Sequence, residues 1–272
     1  MNREGASRLF TGAYSRLRST GILDLAWAKR AFVSSYFLYK RLWEDPFRAA
    51  IRARPELVGE GDVLDIGANI GYTACLFAAA LKPGRRVYAF EPDAVTFATL
   101  AEVVRRKGLE DRIAPVNAAV GAAEGTVEFW HNQDHAADHR VATQHFKSAH
   151  TAAGVTRVPM VSVDGFVAAR AIENVTFIKI DVQGFEPAVC EGMTRTLERF
   201  PAAPVCCEYS PGSFAELGLT AEALLDFFAS RGYAPHVLGR SGIGPALTRR
   251  EVQEAAEEAG YVDLLYSRDR GT

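Results

Sequence analysis

The chain has 272 residues, 48% of them hydrophobic and 24% charged, and a formal net charge of −2. That length suits one large α/β domain, or an ordinary domain with an added segment, and the apolar share excludes a disordered chain. No domain-wide basic excess is available to neutralise phosphates, so no nucleic-acid partner is expected.

Residues 1–18 mix Arg3, Glu4, Arg8, Arg16 and Arg18 with few apolar residues, unlike a secretory signal. The aromatic-rich stretch 22–43 is interrupted by Asp24, Lys29, Arg30, Lys40 and Arg41. It therefore falls short of the ~20 apolar residues of a transmembrane helix. A cytoplasmic protein is the expectation. Leu23, Trp27, Ala31, Val33, Phe37 and Leu38 recur at helical spacing, and Pro46 and Pro55 punctuate the end. Residues 1–58 thus read as an N-terminal helical segment that packs over the site or against a second copy in a homodimer.

Residues 59–272 read as one domain. Residues 63–66 form a short buried strand, and 73–81 an apolar helix closed by Pro83 and Gly84. A strand at 86–90, a helix at 94–107 ended by Gly108, and a strand at 113–116 follow. The stretch 122–163 breaks the rhythm: 126–131 and 157–163 alternate like strands, with a polar, histidine-rich run between them. Such insertions commonly roof a substrate site over the carboxyl ends of the strands. Strands at 175–180, 205–208, 233–238 and 261–266 then alternate with helices at 186–199, 219–230 and 248–259. The pattern predicts about seven strands in a mostly parallel, Rossmann-like sheet with helices on both faces. The four cysteines, Cys75, Cys190, Cys206 and Cys207, form no CxxC pair and read as buried thiols in a reducing compartment.

The first strand ends in Asp65 and runs through Gly67, Ala68, Asn69 and Gly71 into a helix, the layout of a nucleotide-binding turn. Asn69 stands where a dinucleotide fingerprint has its second glycine, and no lysine follows as in a phosphate-cradling loop. A carboxylate here repels a pyrophosphate but suits the ammonium and sulfonium of S-adenosylmethionine. The helix start can receive that ligand's carboxylate, with the Thr73 hydroxyl as a helper. Glu91 ends the second strand, where an acid accepts hydrogen bonds from ribose hydroxyls. Small residues at Ala118 leave room for adenine, and Asn117 either bonds its edge or serves as a turn residue.

These stretches resemble the FkbM-type methyltransferases: VLDIGANIGYT (63–73), VYAFEPD (87–93), VNAAVG (116–121), VSVDGF (161–166) and FIKIDVQGFEPAV (177–189). The resemblance covers about residues 58–210 of the chain. It implies a class I methyltransferase fold, S-adenosylmethionine as cofactor, and O-methylation of natural products or glycans; some members resemble N-methyltransferases of peptide side chains. Where the family commonly has D-V-E-G-x-E, Gln183 replaces the first glutamate.

Asp181 ends the fourth strand, where it is placed to touch the methionine amino group, orient the nucleophile or accept its proton; Glu186 is a substrate contact or a first-turn acid of the next helix. Five of the six histidines lie within 131–150. Asp138-His139-Arg140 matches a D-N-x-G-D-H-R stretch of one branch of the family. His139 is therefore the expected base or substrate ligand, with Asp138, Arg140 and Glu208 as substrate contacts. Asp181 with Glu208, or histidines with acids, suggest a cation site, but neither set has diagnostic spacing and no metal is assigned. The expectation is an O-methyltransferase of a small-molecule hydroxyl. The alternatives are an N-methyltransferase of a peptide or amine, and a cofactor-binding assembly protein without turnover.

Overall fold

The computed structural model describes residues 25–131, 139–149 and 154–268. The N-terminal segment forms helix α1 (Ala26–Tyr39), a π-helical turn (Lys40–Glu44) and helix α2 (Phe47–Ala53). Then come β1 (Asp62–Ile66), α3 (Tyr72–Ala80), β2 (Val87–Phe90), α4 (Ala94–Arg106), β3 (Ile113–Val116), β4 (Ala119–Val120), β5 (Gly125–Trp130), β6 (Arg140–Val141), α5 (Gln144–Ala149) and β7 (Val155–Val161). The chain continues through α6 (Val163–Ala169), β8 (Val175–Ile180), α7 (Glu186–Glu191), α8 (Thr194–Arg199), β9 (Val205–Tyr209), α9 (Pro211–Glu216) and α10 (Ala221–Ala229). It closes with β10 (Ala234–Gly239), β11 (Gly242–Ala246), α11 (Arg249–Ala259) and β12 (Val262–Ser267).

The larger sheet has eight strands in the order β11-β10-β12-β9-β8-β1-β2-β3. β12 runs antiparallel between β9 and β10, and the strands from β9 to β3 are parallel. The strand beyond the anticipated seven is β11, which closes a hairpin with β10. Alternation explains why both faces are buried. On one face Val63, Phe177, Cys206 and Leu265 join a core with α2, α3 and α4. On the other, Leu64, Ile66, Ile178, Ile180, Cys207 and Leu264 join the core of helices α5 to α11 and the second sheet. β1 pairs with both β2 and β8, so the strand order reverses there, where an open α/β sheet leaves a crevice at its carboxyl ends.

The stretch read as a polar insertion contributes to a second sheet, β4-β7-β5-β6, whose Phe129, Val141 and Val158 belong to the main core. The single helix expected at 186–199 is two. Asp164 on α6 accepts the Thr196 N–H at 2.7 Å and the Arg195 N–H at 3.0 Å, capping α8 from outside and starting a new axis. All four cysteines are free; burial pushes the thiol of half-buried Cys75 up to about 11 and those of the other three further. Among the described residues, no helix is long and apolar enough to cross a membrane.

The N-terminal segment is fastened to the sheet by two means. Phe47 packs edge-on against Phe77 and Phe177, with ring centroids 5.2 and 6.2 Å apart. Asp45 accepts the Phe47 and Arg48 N–H groups through Oδ1 and the Tyr72 hydroxyl at 2.7 Å through Oδ2, tying the start of α2 to the start of α3. Phe47→Ala should therefore cost about 3–5 kcal/mol, the usual range for truncating a core aromatic. Denaturant unfolding measures it, and a loss below about 1 kcal/mol would mean that the segment is not part of the core.

Candidate active site

The site grows from one glycine turn. Gly67 and Ala68 donate their N–H groups to Phe90 O at 3.1 and 2.9 Å, and Asn69 donates to Glu91 Oε2 at 3.1 Å. The end of β1 is thereby laced to the end of β2. Gly67 has φ of 76°, and a Cβ there would lie 1.9 Å from the Asp181 carbonyl oxygen. Only glycine lets the ends of β1 and β8 pass this closely.

Asp65 and Lys179 face each other as register partners on β1 and β8. Asp65 is fully buried and Lys179 is 4% exposed. Asp65 Oδ1 lies 3.2 Å from Lys179 Nζ, an ion pair whose alignment falls short of a hydrogen bond, and Oδ2 accepts the Thr73 hydroxyl at 2.7 Å. Lys179 also donates to Gly67 O at 2.8 Å and stands 3.5 Å from Asp181 Oδ2. Burial opposes its charge, but the two carboxylates outweigh burial and raise its pKa above the usual lysine value. From sequence, Asp65 is a carboxylate awaiting a cation. Here the cation is Lys179, and the Thr73 hydroxyl is engaged by Asp65 beneath the turn.

Above this pair opens a cavity of about 290 Å³ at the carboxyl ends of β1, β2, β8 and β9. Gly67, Ala68, Asn69, Thr73, Glu91 and Ala118 line one part of it. Glu91 Oε1 accepts the Asp93 N–H at 2.9 Å while Oε2 accepts that of Asn69, and burial pushes the carboxyl up to about 8. Asn117 donates its side-chain amide to Glu91 O at 2.8 Å and Pro92 O at 3.1 Å and does not line the cavity, so it is the turn residue of the two readings. Gly71, with φ of 88°, starts α3 behind the wall.

The other walls come from distant parts of the chain. Phe129, His139 and Val141 enter from the second sheet, Asp181, Gln183 and Glu208 from the ends of β8 and β9, and Tyr36, Lys40 and Glu44 from the N-terminal segment. Lys40 Nζ holds Glu44 Oε2 at 2.6 Å across the π-helical turn. This N-terminal wall was not among the residues singled out from sequence. His139 and Val141 face the cavity and Arg140 does not, as side-chain alternation requires. Arg140 instead pairs with Glu216 at 2.5 Å and lies over the Phe146 ring. Glu186 is also outside: it is buried in the first turn of α7, accepts the Val182 N–H at 2.9 Å, and burial pushes its carboxyl up to about 7. Asp138 lies outside the described residues.

Beside His139 stand two groups that sequence reasoning passed over. His131 Nδ1 is 3.0 Å from Asp93 Oδ2, and the His131 and His139 rings are 5.4 Å apart. Burial raises the Asp93 carboxyl, but hydrogen bonds from Thr96 and the two neighbouring imidazoles outweigh it and hold the pKa below the usual value.

Residues 65–235 match the family described as "Methyltransferase FkbM domain". A hexuronic acid methyltransferase of Haloferax volcanii is 30% identical over 150 residues, covering 54% of this chain and 56% of that protein. The 31-O-demethyl-FK506 methyltransferase of Streptomyces tacrolimicus is 31% identical over 180 residues, covering 58% of this chain and 68% of that protein. The matched stretch thus spans only a little over half of the first relative's length. Among solved structures, an O-methyltransferase of Bacillus cereus in complex with SAH aligns with a TM-score of 0.48 at 12% identity, covering 87% of this chain and 89% of that one. The FkbM methyltransferase of Methylobacillus flagellatus aligns at 0.46 and 16% identity, covering 85% and 50%.

Removing one member of a buried pair strands the other charge. Lys179→Met should cost about 3–5 kcal/mol, and a second change, Asp65→Leu, should return part of that loss. Chemical unfolding of the two variants checks it; a cost below about 1 kcal/mol for Lys179→Met would mean the pair is not what holds the turn.

Proposed function

The chain belongs to the FkbM methyltransferase family, and from that membership we propose that it transfers a methyl group from S-adenosylmethionine to a hydroxyl of a sugar, polyketide or related metabolite. The observation that carries this reading is that the glycine turn, buried Glu91 and His139 open into one cavity. The residues fit the cofactor. A carboxylate has about four lone-pair sites, so Glu91 keeps capacity for two ribose hydroxyls after taking two backbone N–H groups. Ala118 offers little bulk against the adenine. When bound, the cofactor supplies a methyl group on a positively charged sulfur, open to in-line displacement.

The protein's part is to hold the acceptor in line and activate its oxygen, and alignment alone accounts for several kcal/mol of such a barrier. His139 and Asp181 reach the cavity from opposite sheets. His139 engages the acceptor hydroxyl and promotes loss of its proton, while Asp181 orients the acceptor or the methionine amino group. The names of the two relatives, one acting on a hexuronic acid and one at a 31-O position, support an oxygen acceptor. Mass spectra that placed the methyl on nitrogen would replace this reading with the amine one.

Glu91→Ala should weaken cofactor binding by about 1–3 kcal/mol. The wild type should also bind more tightly as pH rises toward 8. Free Glu91 is protonated below about 8, only the carboxylate accepts both ribose hydroxyls, and binding must then release a proton. Above that pH the affinity should level off, and Glu91→Gln should abolish the dependence. Calorimetry between pH 6 and 9 reads both effects, and a flat wild-type profile would remove Glu91 from the ribose.

His139→Ala should reduce turnover by roughly 10²–10⁴-fold with little change in cofactor affinity. Near-normal turnover by folded His139→Ala would move the activating role to Asp181.

A further inference from the structure

We propose that Asp93, His131 and His139 hold a divalent transition-metal ion beside the acceptor, leaving coordination positions for acceptor oxygens. This inference rests on the reading of the His139 end of the cavity as the acceptor side.

The three residues come from separate elements. Asp93 caps α4, His131 follows β5 and His139 precedes β6. One donor atom from each lies within 4.8 Å of the other two. Asp93 is held in one orientation, because its Oδ1 accepts both the N–H and the hydroxyl of Thr96 at 2.7 Å. That leaves Oδ2 turned to His131 Nδ1 at 3.0 Å. Two ligands each about 2.1 Å from one ion stand roughly 3–3.5 Å apart, so this pair is already at ligand spacing. The far nitrogen of His131, Nε2, lies 2.7 Å from the Thr156 hydroxyl on the facing strand. A metal-binding imidazole is commonly oriented by such a partner at its other nitrogen.

A carboxylate oxygen and two imidazole nitrogens gathered this closely share either protons or a metal ion. Two imidazoles and one carboxylate suit zinc, manganese, cobalt or iron(II), whereas magnesium and calcium prefer oxygen. Three protein ligands leave at least one position open, and His139 lines the cavity. An acceptor oxygen on that ion would be polarised by it, so His139 would promote loss of the acceptor's proton as a ligand of the ion rather than as a free base.

The test uses the full chain without a histidine tag, stripped by a chelator and titrated with Co²⁺ in the absence of cofactor and acceptor. One equivalent should bind and give visible d–d absorption. His131→Ala and Asp93→Asn should each weaken binding more than tenfold, and Thr156→Val by about 10–100-fold. Asparagine still caps a helix, so Asp93→Asn keeps α4, and circular dichroism verifies the fold of each variant. Chelation should abolish methyl transfer and added metal restore it. No stoichiometric binding, equal binding by His131→Ala, or full activity after chelation overturns the site and leaves a proton-shared Asp–His cluster. Because metal binding is read without cofactor, its failure is separate from failure of the methyl-transfer reading, which calorimetry with S-adenosylmethionine tests alone.

Discussion

A buried carboxylate facing a buried ammonium across two central strands sets the geometry of this molecule. Asp65 and Lys179 sit at the point where the strand order of the large sheet reverses. Neither charge is tolerable there without the other. Once paired, the lysine has a donor left for Gly67 O, which fixes the start of the glycine turn. The turn in turn spends its N–H groups on the end of β2, and one of them fixes Glu91. The side of the cavity that carries the glycine turn and Glu91 is therefore one connected network built on a single ion pair. The net stability such a pair adds is small, but the arrangement depends on it.

The two sides of the cavity have different origins. The side with Glu91 and Ala118 comes from consecutive βα units and short-range turns. The opposite side is assembled from the second sheet, the ends of β8 and β9, and a strap of chain that precedes β1. The family match begins at residue 65, so Tyr36, Lys40 and Glu44 contribute a wall from outside the matched span. Asp45 and Phe47 explain why that strap stays in place: it shares the core and the start of α3 rather than lying on the surface.

Legibility in the sequence followed locality. The strand at 175–180 is visible from its apolar residues and matches β8 to the residue, and the positions of the glycine turn and Glu91 at the ends of β1 and β2 are readable from neighbouring residues. The ion pair was hidden although both partners were in plain view. A lysine inside a strand buried on both faces requires an opposite charge nearby, and that signal at Lys179 in Phe177-Ile178-Lys179-Ile180 would have pointed to Asp65. Arg140 was grouped with His139 through the family-like Asp138-His139-Arg140 run, whereas strand parity separates them. Asp93, His131 and His139 meet only because β5, β6 and the turn after β2 converge in space, and no spacing along the chain encodes that. The break in the helix at 186–199 is likewise set by Asp164 on another helix.

The central claim is that the cofactor lies in the cavity above the Asp65–Lys179 pair, and a crystal structure with S-adenosylhomocysteine tests it most directly. The ribose hydroxyls should bond Glu91, with the adenine beside Ala118 and the sulfur turned toward His139 and Asp181. A nucleoside beyond hydrogen-bond reach of Glu91, or seated in the separate cavity lined by Arg54, Arg199 and Arg268, would contradict it.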